Sequence, residues 1–301
     1  MRVTVTGATG RIGTRLVGAL RKRGDDVTVL SRNPDKARTA LHVEAHAWQP
    51  DSEPAPTAAL AGRDGVVHLA GEDVAQRWSD DAKRRLRSSR ELGTRNLVTG
   101  LREADPRPGV LVSSSAVGFY GPHGDEPVTE DSAPGDDFLG QLCVTWEREA
   151  SAAEELGLRV VRVRTGIVLD KDGGALAKML PFFRLGVGGP VAGGRQYMAW
   201  IHVDDLVGIY LAALDGEHWS GAVNATAPTP ATNKEFSEAL GRALHRPALA
   251  PVPSFAIRAL YGEMAQIVIT GQRAVPQRTQ ALGFSFAHSE LDEALRSALA
   301  G

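Results

Sequence analysis

The chain has 301 residues, 43% hydrophobic and 23% charged, with a formal net charge of −2. That composition fits a folded globular chain and gives no global field to attract nucleic acid or an anionic membrane surface. A single cysteine, Cys143, rules out an internal disulfide, and no apolar run approaches the roughly 20 residues of a membrane span. No basic or apolar leader precedes the first strand, so a cytoplasmic protein is expected.

Arg2 to Thr6 is short, β-branched and followed at once by glycine, which predicts a buried strand entering a tight turn. Arg11 to Arg23 places Ile12, Leu16, Val17, Ala19 and Leu20 at helical spacing, and Gly24 ends the run. Asp26 to Leu30 is the next strand. A strand, a helix and a strand within about 30 residues force a parallel pair with a right-handed crossover. The alternation continues with strands over 64–69, 109–113 and 159–164, and with helices over 79–101 and 137–156.

After Thr165 glycines interrupt the pattern. Trp200 to Leu214 then reads as a strand and helix returning to the first unit, and Gly221 to Ala225 as its last strand. The expected fold is α/β: a doubly wound parallel sheet over residues 1–170, completed by about 200–226. Residues 171–199 and 227–301 form a smaller substrate-side lobe.

Between the first strand and the first helix stands Gly7-Ala8-Thr9-Gly10-Arg11-Ile12-Gly13. Glycines at this spacing permit a tight turn and let backbone N–H groups approach a pyrophosphate at a helix N-terminus. The second strand ends in Leu30-Ser31-Arg32-Asn33. A carboxylate there would bind a ribose 2′-hydroxyl, whereas a guanidinium and a hydroxyl suit a 2′-phosphate. The expected cofactor is therefore NADP(H), with Ser31 and Arg32 at the phosphate and Arg11 and Lys36 adding charge. The competing reading of Arg32 is a solvated surface side chain.

Further segments carry a resemblance: Ala70-Gly71-Glu72 with Arg77-Trp78, Ser89-Arg90 with Thr94, Ser113 to Gly121, Arg164 to Leu169, and Trp200 to Asp205. Over nearly its whole length the chain resembles the extended short-chain dehydrogenase/reductase superfamily. Within it, it resembles the atypical "epimerase family protein" branch, which is nucleoside-diphosphate-sugar epimerase-like. The resemblance implies a Rossmann-type sheet with a small C-terminal substrate lobe. It implies that His68, Leu69, Ala70 and Gly71 pass near the cofactor and that Ser115 takes the place of the active-site serine. Homodimers built by helix pairing are common in the superfamily.

The same resemblance exposes a departure. The superfamily uses Tyr and Lys four residues apart on the helix after that serine. Alignment on Glu147 puts Leu139 and Cys143 at those places. Leucine has no proton to give, and a thiol carries no positive charge. Tyr120, five residues after Ser115, is the candidate replacement donor, against a packing role in a Tyr-Gly turn. Cys143 reads as an inert buried thiol.

On the substrate side, Arg195 is a candidate for an anionic ligand, or else a partner of Asp204 or Asp205. His202 is a candidate base or a satisfied core histidine. Arg77, Trp78, Lys83 and Arg90 form an anion-friendly rim or a solvated helix face. The histidines show no metal-ligand spacing. Two functions stay open. One is an NADP(H)-dependent oxidoreductase or epimerase-like enzyme for a small polar, anionic substrate. The other is a non-catalytic NADP(H)-binding sensor or scaffold.

Overall fold

The first strand is covered on both faces: Val3, Thr4, Val5 and Thr6 are all fully buried. That is the environment of a central parallel strand, which explains why its sequence is β-branched throughout. In the computed structural model, which describes residues 1–300, it leads a chain of 13 strands and 11 α-helices.

The first part runs β1 (Arg2–Thr6), α1 (Arg11–Lys22), β2 (Asp26–Ser31), α2 (Pro34–Leu41), β3 (Glu44–Ala47), β4 (Gly65–His68), α3 (Asp80–Glu103), β5 (Val110–Ala116), β6 (Pro127–Val128), α4 (Phe138–Ser151) and β7 (Arg159–Thr165). The second part runs β8 (Ile167–Leu169), α5 (Gly174–Arg184), β9 (Tyr197–Met198), β10 (Trp200–His202), α6 (Val203–Asp215), β11 (Gly221–Ala225), β12 (Ala231–Thr232), α7 (Asn233–Leu244), α8 (Ser254–Tyr261), α9 (Gln266–Ile269), β13 (Arg273–Ala274), α10 (Gln277–Ala281) and α11 (Leu291–Ala300). Gly301, the last residue of the expected substrate-side lobe, lies outside the described residues.

Seven strands form one sheet in the order β11-β7-β5-β4-β1-β2-β3, and every pair in it is parallel. This is the Rossmann-type α/β fold. From β1 the chain winds outward through β2 and β3, then returns to β4 and winds the other way. The crevice between the carboxyl ends of β1 and β4 is therefore the switch point, where such sheets bind ligands.

Each sheet face has its own apolar layer. On one face Leu16, Val17 and Leu20 of α1 and Leu206, Ile209 and Tyr210 of α6 pack on Val3, Val5 and Val112. On the other, Trp48, Leu60, Leu97 and Leu101 pack on Val66, Leu111 and Val160. Each such large side chain contributes about 1.5–3 kcal/mol on burial. A third cluster, including Leu180, Phe183, Trp200, Phe236 and Leu295, joins α5, β10, α7 and α11. No helix among the described residues is long and apolar enough to cross a membrane.

Helix starts follow local chemistry. The side chains of Asn33, Ser79 and Asp137 accept from the amides of Lys36, Ala82 and Gly140, and Thr232 forms a capping box with Glu235.

The fold departs from the sequence reading at three places. The α2–β3 unit was not foreseen, because Glu44-Ala45-His46-Ala47 is a sheet-edge strand with little apolar content. The expected helix over 137–156 stops at Ser151 and continues as a 3-10 turn over Ala152–Leu156 before left-handed Gly157. Trp200–His202 pairs with β8 instead of the central sheet, although α6 after it does return. Gly166 makes this possible: a Cβ there would stand 2.3 Å from the Ala199 carbonyl oxygen, so only glycine lets the chain leave β7 so close to that backbone.

Candidate functional site

The glycine turn lies in the crevice and is built for close approach. Gly7 has φ +66°, and a Cβ on it would stand 2.6 Å from the Leu69 carbonyl carbon. A Cβ on Gly13 would stand 2.4 Å from the Gly7 oxygen, so α1 sits directly on the turn. The Gly10 amide donates to the Gly7 carbonyl at 3.0 Å. Gly10 caps α1 with no side-chain acceptor, which leaves the first-turn N–H groups to a ligand. The result is a cleft of about 580 Å³, lined among others by Gly10, Arg11, Ile12, Leu69, Gly71 and Ser114. Thr9 is exposed on the turn. Bare amides, a helix N-terminus and no carboxylate in the turn itself fit the diphosphate of a dinucleotide.

At the end of β2 the Ser31 hydroxyl accepts from the Asn33 amide at 3.1 Å. Arg32 is exposed and makes no hydrogen bond or ion pair among the described residues. The nearest acid along the chain, Asp35, is engaged by Arg38.

At the end of β4 the residues separate. Thr6 Oγ1 accepts from the Leu69 and Ala70 amides, each at 3.2 Å. Its own proton therefore goes to His68 Nδ1 at 2.7 Å, and His68 Nε2–H donates to Thr94 Oγ1 at 3.1 Å. Burial, with the nearby Arg90 charge, pushes the imidazole down to about 4. The His68 side chain is thus neutral and fully buried, and it does not line the cleft. Leu69 and Gly71 do line the cleft.

At the β5 end the neighbouring serines part. Strand alternation turns Ser114 and Ser115 to opposite faces. Ser114 lines the cleft and shares a 2.7 Å hydrogen bond with the Tyr210 hydroxyl. Ser115 is buried and donates to Glu147 Oε1 at 2.6 Å. Arg164 grips the same carboxylate through Nε and Nη2 at 2.8 and 2.9 Å.

Tyr120 belongs to this network as well. Its hydroxyl donates to Asn224 Oδ1 at 2.6 Å and accepts from Arg164 Nη1 at 3.1 Å. The ring is fully buried, and burial raises the phenol to about 12. A sealed phenol with both partners fixed is not placed as a proton donor. Cys143 is buried too. Burial, then the Glu147 charge, raises its thiol to about 12, far from a reactive thiolate. Leu139 packs against Gly118.

In the C-terminal part, Arg195 is exposed and pairs with neither Asp204 nor Asp205. Asp205 instead accepts the amides of Ala287 and His288 at 2.8 and 3.0 Å. His202 is 2% exposed and caps α6, its Nδ1 accepting from the Asp204 amide at 3.2 Å. Burial, then the neighbouring His288, lowers its pKa, so it too is a core residue and not a base in the cleft.

The fold does gather His202, Asp204 and His288, with one candidate ligand atom each within 4.8 Å, a grouping that chain spacing does not reveal. His202 Nδ1 is committed to its cap, and the two imidazole rings lie 3.8 Å apart between centroids, tilted by 33°.

The basic rim divides as well. Lys83 pairs with Glu263 and Arg77 donates to the Ala259 carbonyl, tying the α3 end to the C-terminal segment. Trp78 meets Phe138 edge-on. Arg90 turns inward. Gly173 and Lys178 also line the cleft. They had no local signal, because only the α5 start, brought back over the turn, places them there.

Comparison with known proteins agrees with this geometry. The profile of the NAD dependent epimerase/dehydratase family matches residues 3–224, and a domain of unknown function (DUF1731) matches residues 252–298. The mouse protein "Epimerase family protein SDR39U1" is 40% identical over 305 residues, covering 100% of both chains. An Arabidopsis thaliana homologue of that protein, described as chloroplastic, is 41% identical over 99% of this chain and 86% of its own length. The crystal structure of human SDR39U1 (isoform 2) with NADPH superposes with a TM-score of 0.89 at 37% identity, covering 100% of each chain.

Proposed function

The chain belongs to the NAD-dependent epimerase/dehydratase family, and on that premise we propose that it is an NADP(H)-dependent oxidoreductase or epimerase-like enzyme acting on a small polar, anionic substrate. The observation that carries this reading is the cleft, which runs from the bare amides of the glycine turn past Leu69 and Gly71 to Ser114.

In this proposal the α1 N-terminus and Arg11 hold the diphosphate, and Arg32 with Ser31 holds the 2′-phosphate. NADPH, when bound, supplies hydride from its nicotinamide ring. The solved relative with NADPH supports the choice of cofactor. Arg195, which makes no hydrogen bond or ion pair among the described residues, is available to a substrate anion.

The proton is the chain's distinguishing problem. Tyr120 is sealed, and Leu139 and Cys143 provide neither a donor nor a cation. Supply of the substrate proton by water or by the substrate itself would favour activated substrates whose reduction needs no strong general acid. The same absence favours a second reading, an NADP(H)-binding sensor without turnover.

The experiment is a panel of carbonyl and enoyl acids incubated with NADPH carrying deuterium at C4. Deuterium in a product is the expected result. NADPH binding without transfer to any member of the panel favours the sensor. A protein that binds no NADPH overturns both readings.

A further inference from the structure

Tyr210 of α6 is fully buried, packed in the apolar layer with Leu206 and Val112. A phenol in such a place needs a hydrogen-bond partner for its hydroxyl. The Ser114 hydroxyl stands 2.7 Å away, and Thr165 is the other polar neighbour. Burial raises the phenol to about 12, so Tyr210 keeps its proton at ordinary pH and acts as a neutral hydroxyl.

Ser114 is the open end of this pair, because it lines the cleft. Its Oγ makes no other hydrogen bond among the described residues than the one with Tyr210. The pair has two proton arrangements. When Tyr210 donates, the Ser114 proton is left for the cleft; when Ser114 donates, only its lone pairs are. A ligand carbonyl selects the first arrangement, in which the phenol holds the serine proton outward.

The sheet order says which part of a dinucleotide meets this hydroxyl. β5 lies two strands from β1, on the side away from β2, about 10 Å across the sheet. With the diphosphate on the turn after β1 and the 2′-phosphate at the end of β2, the nicotinamide half extends over β4 toward β5. His68 pairs with Ser113, so Leu69 and Ser114 leave neighbouring strands side by side. Their surfaces suit that half: an apolar side chain for a flat ring, and an uncharged hydroxyl for an uncharged carboxamide.

We propose that the Ser114 hydroxyl donates to the nicotinamide carboxamide oxygen of the bound dinucleotide, with Tyr210 as the positioning residue that turns the serine proton toward it. The proposal rests on reading the cleft as a dinucleotide site. It gives that site a residue that fixes the plane of the ring from which hydride leaves.

Calorimetry on Ser114→Ala, Ser114→Thr and Tyr210→Phe tests it with three probes. These are NADPH, its reduced 3-acetylpyridine analogue (which keeps the carbonyl oxygen and lacks the amide nitrogen) and 2′-phospho-ADP-ribose (which lacks the ring). Ser114→Ala is expected to weaken both ring-bearing probes by about fivefold and to leave 2′-phospho-ADP-ribose within about twofold of the parent. Ser114→Thr, which keeps the hydroxyl, should recover most of the loss. Tyr210→Phe, which leaves Ser114 in place, should weaken the ring-bearing probes by a smaller factor, again sparing the ringless one.

Equal losses on all three probes would show a structural role only and overturn the proposal. So would a folded Ser114→Ala protein that binds NADPH as the parent does. Loss of NADPH affinity with the acetylpyridine analogue unaffected would mean that Ser114 accepts from the amide nitrogen, which overturns the assigned donation. Parent-like binding by folded Tyr210→Phe would overturn the positioning role. If the parent binds none of the three probes, the reading of the cleft as a dinucleotide site fails, and the proposal fails with it.

Discussion

Ser115 Oγ donates to Glu147 Oε1 at 2.6 Å, and Arg164 holds the other side of the same carboxylate. Glu147 and Arg164 are both about 95% buried, so the three residues form a desolvated unit between β5, α4 and β7. Removing one side of such a pair leaves an unanswered charge, which costs more than the pair contributes. Glu147→Ala is expected to lose about 3–5 kcal/mol in urea unfolding, and Ser115→Ala about 1–2 kcal/mol, both with near-normal affinity for NADPH. A Ser115→Ala protein of unchanged stability that has lost all turnover would return this serine to the reaction.

Tyr120→Phe separates a packing role from a chemical one. The lost hydroxyl leaves Asn224 Oδ1 without its donor, at a cost of about 1–3 kcal/mol. Any NADPH-dependent turnover should stay within about twofold of the parent across pH. Loss of an alkaline limb from the pH–rate profile would mean that the phenol takes part after all.

The β1–α1–β2 start was legible almost to the residue, because its signals are local: β-branched strands, helical spacing and glycines where a side chain would meet backbone. The site beyond it was not. Which way Ser115 faces depends on Glu147, 32 residues on, and the burial of Tyr120 on Asn224, 104 residues on. Arg90 sits in a run of charge that reads as a solvated face, and only the packing of Trp146 and the Glu72 carbonyl against it reveals its inward turn. The missing Tyr/Lys pair was visible at Leu139 and Cys143, yet the fate of the substitute candidate required the fold.

His68 gives the stability a pH dependence. Its pKa is about 4 in the folded protein against an ordinary value of 6.5. Between those values the unfolded chain binds a proton that the folded chain refuses, so stability rises with pH there. The contribution is complete above about pH 6.5 and is lost as pH falls toward 4, amounting to about 3 kcal/mol. Melting temperatures of the parent and His68→Gln across this range should converge at low pH. Parallel curves would show that the imidazole is not held neutral.

Arg32→Asp addresses cofactor choice. Replacing the unpartnered guanidinium with a carboxylate beside Ser31 should weaken NADPH by about 10–100-fold, or about 1.4–2.8 kcal/mol, and leave NADH nearly unchanged. Equal losses for both cofactors would show that Arg32 does not touch the 2′-phosphate.

The central claim, a nicotinamide dinucleotide phosphate held on the Gly7–Gly13 turn, is tested most directly by calorimetric titration of the unmodified protein with NADPH and, separately, with NADH. The expected result is one NADPH per chain, bound at least about tenfold more tightly than NADH. Failure to bind either cofactor, or tighter binding of NADH, would contradict it.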